Sequence, residues 1–154
     1  MKFFESSEDI VDMVEEMFYA TELGSMGLNL NVISTTKSKD VIKASRASAT
    51  TEFLVKKEGI ITVIVYEEAF DRLSDEQKKM MVEMTLSNFS YDVEKDKLIV
   101  ETNPFVQVFS MRKKYGEDFL NTLETAYLVV KQIEDEQKAK KEAEKEAKRA
   151  VKQN

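Results

Sequence analysis

One run of seven residues, Ile60-Ile61-Thr62-Val63-Ile64-Val65-Tyr66, constrains the fold more than any other feature of this chain. Six of its seven side chains are β-branched, and Thr62 is its single polar interruption. Branching at Cβ costs a helix side-chain freedom and packs well on a pleated surface, so the run is a strand. Its near-continuous apolar character predicts a central strand buried on both faces. The rest of the chain must supply neighbouring strands and covering helices.

Those elements can be read on either side. Ser6 and Ser7 offer cap oxygens, Glu8 and Asp9 suit a positive helix end, and Ile10, Val14, Met17 and Phe18 recur at helical spacing. This predicts a first helix running to about Leu23 and stopping at Gly24. After the turn Gly24-Ser25-Met26-Gly27, Leu28, Leu30 and Val32 alternate with Asn29 and Asn31, as in a half-buried strand. The stretch Lys43 to Val55 is rich in Ala, Ser and Thr, and Thr51 to Val55 reads as strand. Lys56 to Gly59 then reads as a hairpin turn.

Downstream, Glu67 to Leu73 suggests a short helical turn, and Ser74-Asp75-Glu76-Gln77 is a capping box that opens a helix. Gln77, Met80, Met81, Met84 and Asn88 fall on one stripe of it, a stripe best explained as core filling. Phe89 to Val93 and Lys97 to Glu101 form a hairpin around Glu94-Lys95-Asp96. Asn103-Pro104 starts another helix, carrying Phe105, Val108, Phe109 and Met111 and ending at Gly116. The last helix opens at Glu117 and Asp118 and places Phe119, Leu123, Tyr127 and Val130 on one face. The fold class is therefore α+β: an N-terminal helix, a small mixed or antiparallel sheet, a core helix, and C-terminal helices with a charged helical tail. At 154 residues the chain suits one globular domain, residues 1–133, followed by an extension over 134–154. That extension is mostly Lys, Glu and Ala, with seven basic against six acidic side chains, so the body carries −7 of the net −6. Its residues favour a helix, but with no buried face such a helix frays.

Composition then restricts function. There is no histidine and no cysteine. Imidazole proton shuttles, thiol nucleophiles and nitrogen or sulfur zinc ligands are all missing. The four glycines, at 24, 27, 59 and 116, do not form a dinucleotide or phosphate-binding loop. A net charge of −6 disfavours duplex nucleic acid. No apolar run approaches the ~20 residues of a membrane span, and Met1 to Ser7 lacks a signal-peptide pattern. Together with the absent cysteines, this gives the expectation of a cytoplasmic protein without a membrane partner. Acidic clusters stand at Glu67-Glu68 and at Asp92, Glu94 and Asp96. The latter could reach a hard cation through oxygen ligands, but lacks the glycine and distal glutamate of an EF-hand. Ser45 and Ser48 have no histidine base, and Lys43 is the nearest alternative.

The segment from Ile60 to Gly116, a little over a third of the chain, resembles the metallopeptidase domain of tailed phages and prophages, a small zincin-like family. Ile61 to Val65 resembles that family's strand, Phe70 to Leu73 its Phe-x-x-Leu segment, Gln77 to Asn88 its metal-binding helix, and Lys113-Lys114-Tyr115-Gly116 its closing stop. On this resemblance the His-Glu-Leu-x-His motif falls on Met84-Thr85-Leu86-Ser87-Asn88, and the third ligand falls near Thr102-Asn103-Pro104. Both motif histidines are replaced, by Met84 and Asn88, the general-base glutamate is Thr85, and Asn103 stands at the third position. Such a site needs two imidazoles one helical turn apart and a carboxylate, so the resemblance implies a scaffold that kept its shape and lost its zinc.

The resulting expectation is a non-enzyme without cofactor or metal. It would be a phage-encoded protein that binds a host or virion protein in the host cytoplasm, with Glu67, Glu68, Asp92, Glu94 and Asp96 as candidate partner contacts. A protein with this charge could inhibit its partner by occupying a basic groove. One alternative is a structural subunit of a virion or other assembly, with the tail as its contact. Another is a hydrolase with an oxygen-ligand metal site, although a thioether at Met84 suits neither zinc nor magnesium.

Overall fold

The computed structural model describes residues 1–154 and has an α+β architecture. Its elements run β1 (Phe3–Glu5), α1 (Glu8–Tyr19), α2 (Glu22–Ser25), β2 (Asn29–Thr35), β3 (Ile42–Arg46), α3 (Ala49–Val55) and β4 (Ile60–Tyr66). They continue with α4 (Glu67–Phe70), α5 (Asp75–Leu86), β5 (Phe89–Asp92), β6 (Lys97–Val100), α6 (Pro104–Tyr115) and α7 (Glu117–Gln153).

The main sheet is mixed, in the order β1-β2-β4-β3. Strand β4 is central, pairing parallel with β2 from Asn29↔Ile60 to Thr35↔Tyr66 and antiparallel with β3 from Ile42↔Val65 to Arg46↔Ile61. Its alternate side chains Ile61, Val63 and Val65 are fully buried, whereas Thr62 and Ile64 are only half-buried. On the other face Ile60 and Tyr66 are also buried, so the expected burial on both faces holds at the ends of the strand and is relaxed only at Thr62 and Ile64; the inner face is sealed along its whole length. There Ile61, Val63 and Val65 join Ile10, Val14 and Phe18 of α1, Met81 and Val82 of α5, and Val129, Val130 and Ile133 of α7 in one core. Strands β5 and β6 form a separate antiparallel hairpin, as the sequence suggests.

Three further expectations are corrected. The first helix breaks after Tyr19, where the Thr21 hydroxyl donates to the Phe18 carbonyl at 2.6 Å, and the chain restarts as α2. Gly24 lies inside that second turn, where an added Cβ would stand 2.6 Å from the Tyr19 Cα and 2.8 Å from the Phe18 carbonyl oxygen. Its role is close approach and not helix termination. Thr51 to Val55 is helical, because the Ser48 hydroxyl accepts from Thr51 N–H at 3.1 Å and caps α3. The Glu52 carboxylate then accepts from Gly59 N–H at 3.1 Å and Ile60 N–H at 3.4 Å, tying the helix to β4. The Lys56 to Gly59 turn is therefore a helix-to-strand connection and not a hairpin, with Lys56 and Gly59 both at positive φ.

Helix α5 opens with the expected capping box: Ser74 Oγ accepts from Gln77 N–H at 3.2 Å, and Gln77 Oε1 accepts from Ser74 N–H at 3.0 Å. Of the predicted stripe Gln77, Met80, Met81, Met84 and Asn88, Met81 is buried and Met84 packs partly buried against the core, but the buried face is completed by Val82, Thr85 and Leu86 and is rotated away from Gln77 and Met80. The rotation follows from packing on two sides, against the sheet and against α7. In α6 the buried residues are Gln107 and Met111, while Phe105 and Phe109 are 63% and 66% exposed. In α7 the core face is Phe119, Thr122, Ala126, Val129, Val130 and Ile133, and Tyr127 points outward. Helix α7 continues without interruption to Gln153, and residues 138–154 are exposed throughout.

Candidate functional site

The positions at which a zincin-like centre would stand come from the end of α5 and the start of α6. Met84 is half-buried and packs against the core. Thr85, in place of the general base, is 3% exposed, and its hydroxyl donates to the Met81 carbonyl at 2.7 Å. It therefore faces the interior and satisfies its own helix. Helix α5 ends at Leu86 with Ser87 as its cap, so Asn88 lies beyond the helical ladder, where its carbonyl accepts from Glu101 N–H at 2.7 Å. Two ligands need consecutive turns of one helix to share a metal, and the second position here has left the helix. Asn103 is committed as the cap of α6, its side-chain oxygen accepting from Phe105 N–H at 3.0 Å. A thioether, a buried hydroxyl and two amides, one beyond the helix and one engaged as a cap, do not fit zinc.

The acidic candidates are dispersed. Glu67 starts α4 and has one carboxylate oxygen, Oε2, buried without a hydrogen-bond partner. Glu68 is exposed and pairs with Arg72 at 3.4 Å. At the hairpin tip, Asp92 Oδ1 accepts from Glu94 and Lys95 N–H, both at 3.1 Å, as in an Asx-turn. Asp96, at positive φ, accepts from the Tyr91 hydroxyl. That hydrogen bond, first among the causes, raises the Tyr91 phenol above its usual value. Asp92 and Asp96 thus shape the turn, and Glu94 is exposed beside them. No group of three or more histidine, cysteine, aspartate or glutamate side chains is placed to hold a metal. Ser48 is occupied as the α3 cap, and Ser45 sits in β3 opposite Thr62.

Two arrangements assemble only in three dimensions. In the first, Glu83 on α5 accepts from Lys114 Nζ at 2.5 Å and from the Tyr115 hydroxyl, both at the end of α6. The carboxylate holds the phenol protonated and the ammonium charged, so the Tyr115 and Lys114 pKa values both move up, with the Glu83 hydrogen bond as the leading cause of each. This cluster borders a cavity of about 520 Å³ between Met17, Leu23, Leu86 and Phe89. The second is a cleft of about 1050 Å³ between α3 and the β5–β6 hairpin. Neither is visible in the sequence, because residues distant in the chain build each one. Helix α3 has no buried residue, and its Phe53 and Leu54 stand in solvent beside Lys56 and Lys57.

Comparison with protein-family models, curated proteins and solved structures returns no match to this chain.

Proposed function

We propose that this chain acts by binding another protein and not by catalysis. The carrying observation is the amount of large apolar surface left in solvent on its helices. Phe53 and Leu54 of α3 are 81% and 72% exposed, and Phe105 and Phe109 of α6 and Tyr127 and Leu128 of α7 are also exposed. Single exposed apolar residues are ordinary, but neighbouring aromatic and aliphatic side chains exposed together on a helix, as on α3, α6 and α7, are the raw material of interfaces. The residue types at Met84, Thr85, Asn88 and Asn103 support a non-catalytic reading, because none can act as imidazole ligand or carboxylate base.

The resemblance of Ile60 to Gly116 to a phage metallopeptidase domain points to a host or virion protein as the partner. The test is affinity capture from lysate of infected host cells, comparing the unaltered chain with the surface double variants F53S/L54S and F105S/F109S. The expected result is one protein recovered in stoichiometric amount and lost with one of the two doubles. Capture that is identical for all three proteins would contradict the proposal.

A second reading, a subunit of a larger assembly, draws on α7. Residues 134–153 extend the helix by about 30 Å at ~1.5 Å per residue, with an exposed surface. Light scattering separates this reading from the first, since an assembly subunit gives a mass above the 17.7 kDa of one chain.

A further inference from the structure

We propose that the cleft between α3 and the β5–β6 hairpin is the docking site for an extended peptide in which acidic and apolar residues alternate. This inference rests on the protein-binding reading above and names the surface and the chemistry of the partner segment.

The charge of the cleft runs against that of the chain. Arg46, Lys56, Lys57 and Lys97 line it, against Glu52, Glu58 and Asp96. The lining is thus +1 in a protein of net −6, which leaves −7 for everything else. Two of its three acids are also engaged: Glu52 accepts from the Gly59 and Ile60 N–H groups, and Asp96 accepts from the Tyr91 phenol. None of the four cations is in an ion pair; the chain's three pairs are Arg72–Glu68, Arg72–Glu136 and Lys114–Glu83. Four unpaired cations around one cleft attract an anionic partner and repel a cationic one.

The floor and wall are apolar. Leu28 and the buried Leu98 lie between the charges, and Phe53 and Leu54 project from α3 with most of their surface in water. Apolar side chains from a partner would gain about 25 cal/mol for each Å² they remove from solvent here. The geometry also suits an extended backbone. Strand β6 pairs with β5 on one side only; on its other side the Leu98 carbonyl is already taken by Arg46 Nη1 at 3.3 Å, so a peptide there would be held by its side chains or would displace that one bond. A peptide laid along that edge would alternate its side chains, one set toward the lysines and the next toward Leu28 and Phe53. Single-stranded nucleic acid, the competing anionic ligand, is less well matched. The apolar lining is mostly aliphatic, and the Tyr91 ring that could stack a base carries Asp96 at its hydroxyl.

The test is fluorescence polarisation with the full chain and a labelled peptide of about eight residues, alternating glutamate with leucine or phenylalanine, long enough to span the edge at ~3.3 Å per residue. The expected affinity is on the order of micromolar, falling as salt is raised. The double variant K57E/K97E alters two exposed side chains outside the core and should weaken binding by about tenfold or more, with an unchanged circular dichroism spectrum. The same peptide with lysine in place of glutamate should bind at least tenfold more weakly than the acidic one, by the same charge argument. Equal binding of the acidic and lysine peptides, equal binding by the K57E/K97E variant, or tighter binding of an oligothymidylate than of the acidic peptide would each overturn the proposal. Failure here is distinguishable from failure of the broader reading. If lysate capture survives K57E/K97E but is lost in F105S/F109S, the cleft is wrong and protein binding stands.

Discussion

Arg72 grips Glu136 with both arms of its guanidinium, Nη1 to Oε1 at 3.2 Å and Nη2 to Oε2 at 2.9 Å, where α7 leaves the body. The two residues lie 64 positions apart, one just after α4 and the other a turn beyond Ile133, the last buried residue of α7. The pair marks the boundary between a helix held by packing and a helix held by its own propensity. It lies three residues past the domain limit that the fading apolar pattern places at Ile133.

The Arg72 guanidinium holds the Glu136 carboxyl below its usual pKa, chiefly through their hydrogen bonds. A depressed carboxyl contributes stability that is present above the ordinary glutamate value and is lost as pH falls through the folded-state value. Both side chains are partly exposed, so the effect should be local and not global. The protection of α7 amides near residues 134–140 against hydrogen exchange, taken relative to the intrinsic rate at each pH, should therefore fall on acidification below the glutamate range. Glu136→Gln should produce the same loss of protection at neutral pH.

Ile133 is fully buried at the end of the core-facing stripe of α7. Ile133→Ala should destabilise the protein by about 2–5 kcal/mol, through lost transfer energy and the cavity left behind. Urea unfolding of the two proteins checks this. In contrast, truncation after Lys138 removes only exposed residues and should leave the urea midpoint essentially unchanged.

Gly24 is small because α2 folds back onto the end of α1. Gly24→Ala would place a methyl group 2.6 Å from the Tyr19 Cα, a backbone atom that cannot rotate away. The expected cost is about 1–3 kcal/mol, read as a lower thermal midpoint. The neighbouring Gly27 has open space around it, so its substitution is opposed only by positive φ.

Tyr115 keeps its proton chiefly because its hydroxyl donates it to the Glu83 carboxylate in a hydrogen bond that ionisation would destroy. A raised phenol contributes stability that is intact below the ordinary tyrosine value and is lost as pH rises through the folded-state value. The link between α5 and α6 should therefore loosen only in alkaline solution. In a titration followed by phenolate absorbance, Tyr115→Phe should remove absorbance from the late, high-pH part of the curve.

Much of the fold was legible where local chemistry decides the structure. The Ser74 box, the Asn103-Pro104 start, the Gly116 stop and the β5–β6 hairpin all lie where their residues indicate, because each is set by backbone hydrogen bonds a few positions apart. Thr51 to Val55 reads as a strand because its β-branched and aromatic residues favour one. The Ser48 cap and the Glu52 bond to Gly59 and Ile60 outweigh that preference. The stripe through Met80 and Met84 was rotated because periodicity gives the width of an apolar face and not its bearing against two neighbours. Phe105, Phe109 and Tyr127 show the same limit: spacing marks them as an interface, but not whether that interface lies inside this chain. The site was least legible of all. The cleft draws Leu28, Arg46, Phe53, Lys57 and Lys97 from separate segments, and no local pattern joins them.

A chain that works through its surface should hold no metal at Met84, Thr85, Asn88 and Asn103. The most direct measurement is elemental analysis of the purified protein after incubation with excess zinc and desalting. Zinc far below one atom per chain is expected, together with a thermal midpoint that a chelator does not move. One zinc atom per chain, with a midpoint that falls on chelation, would contradict that expectation.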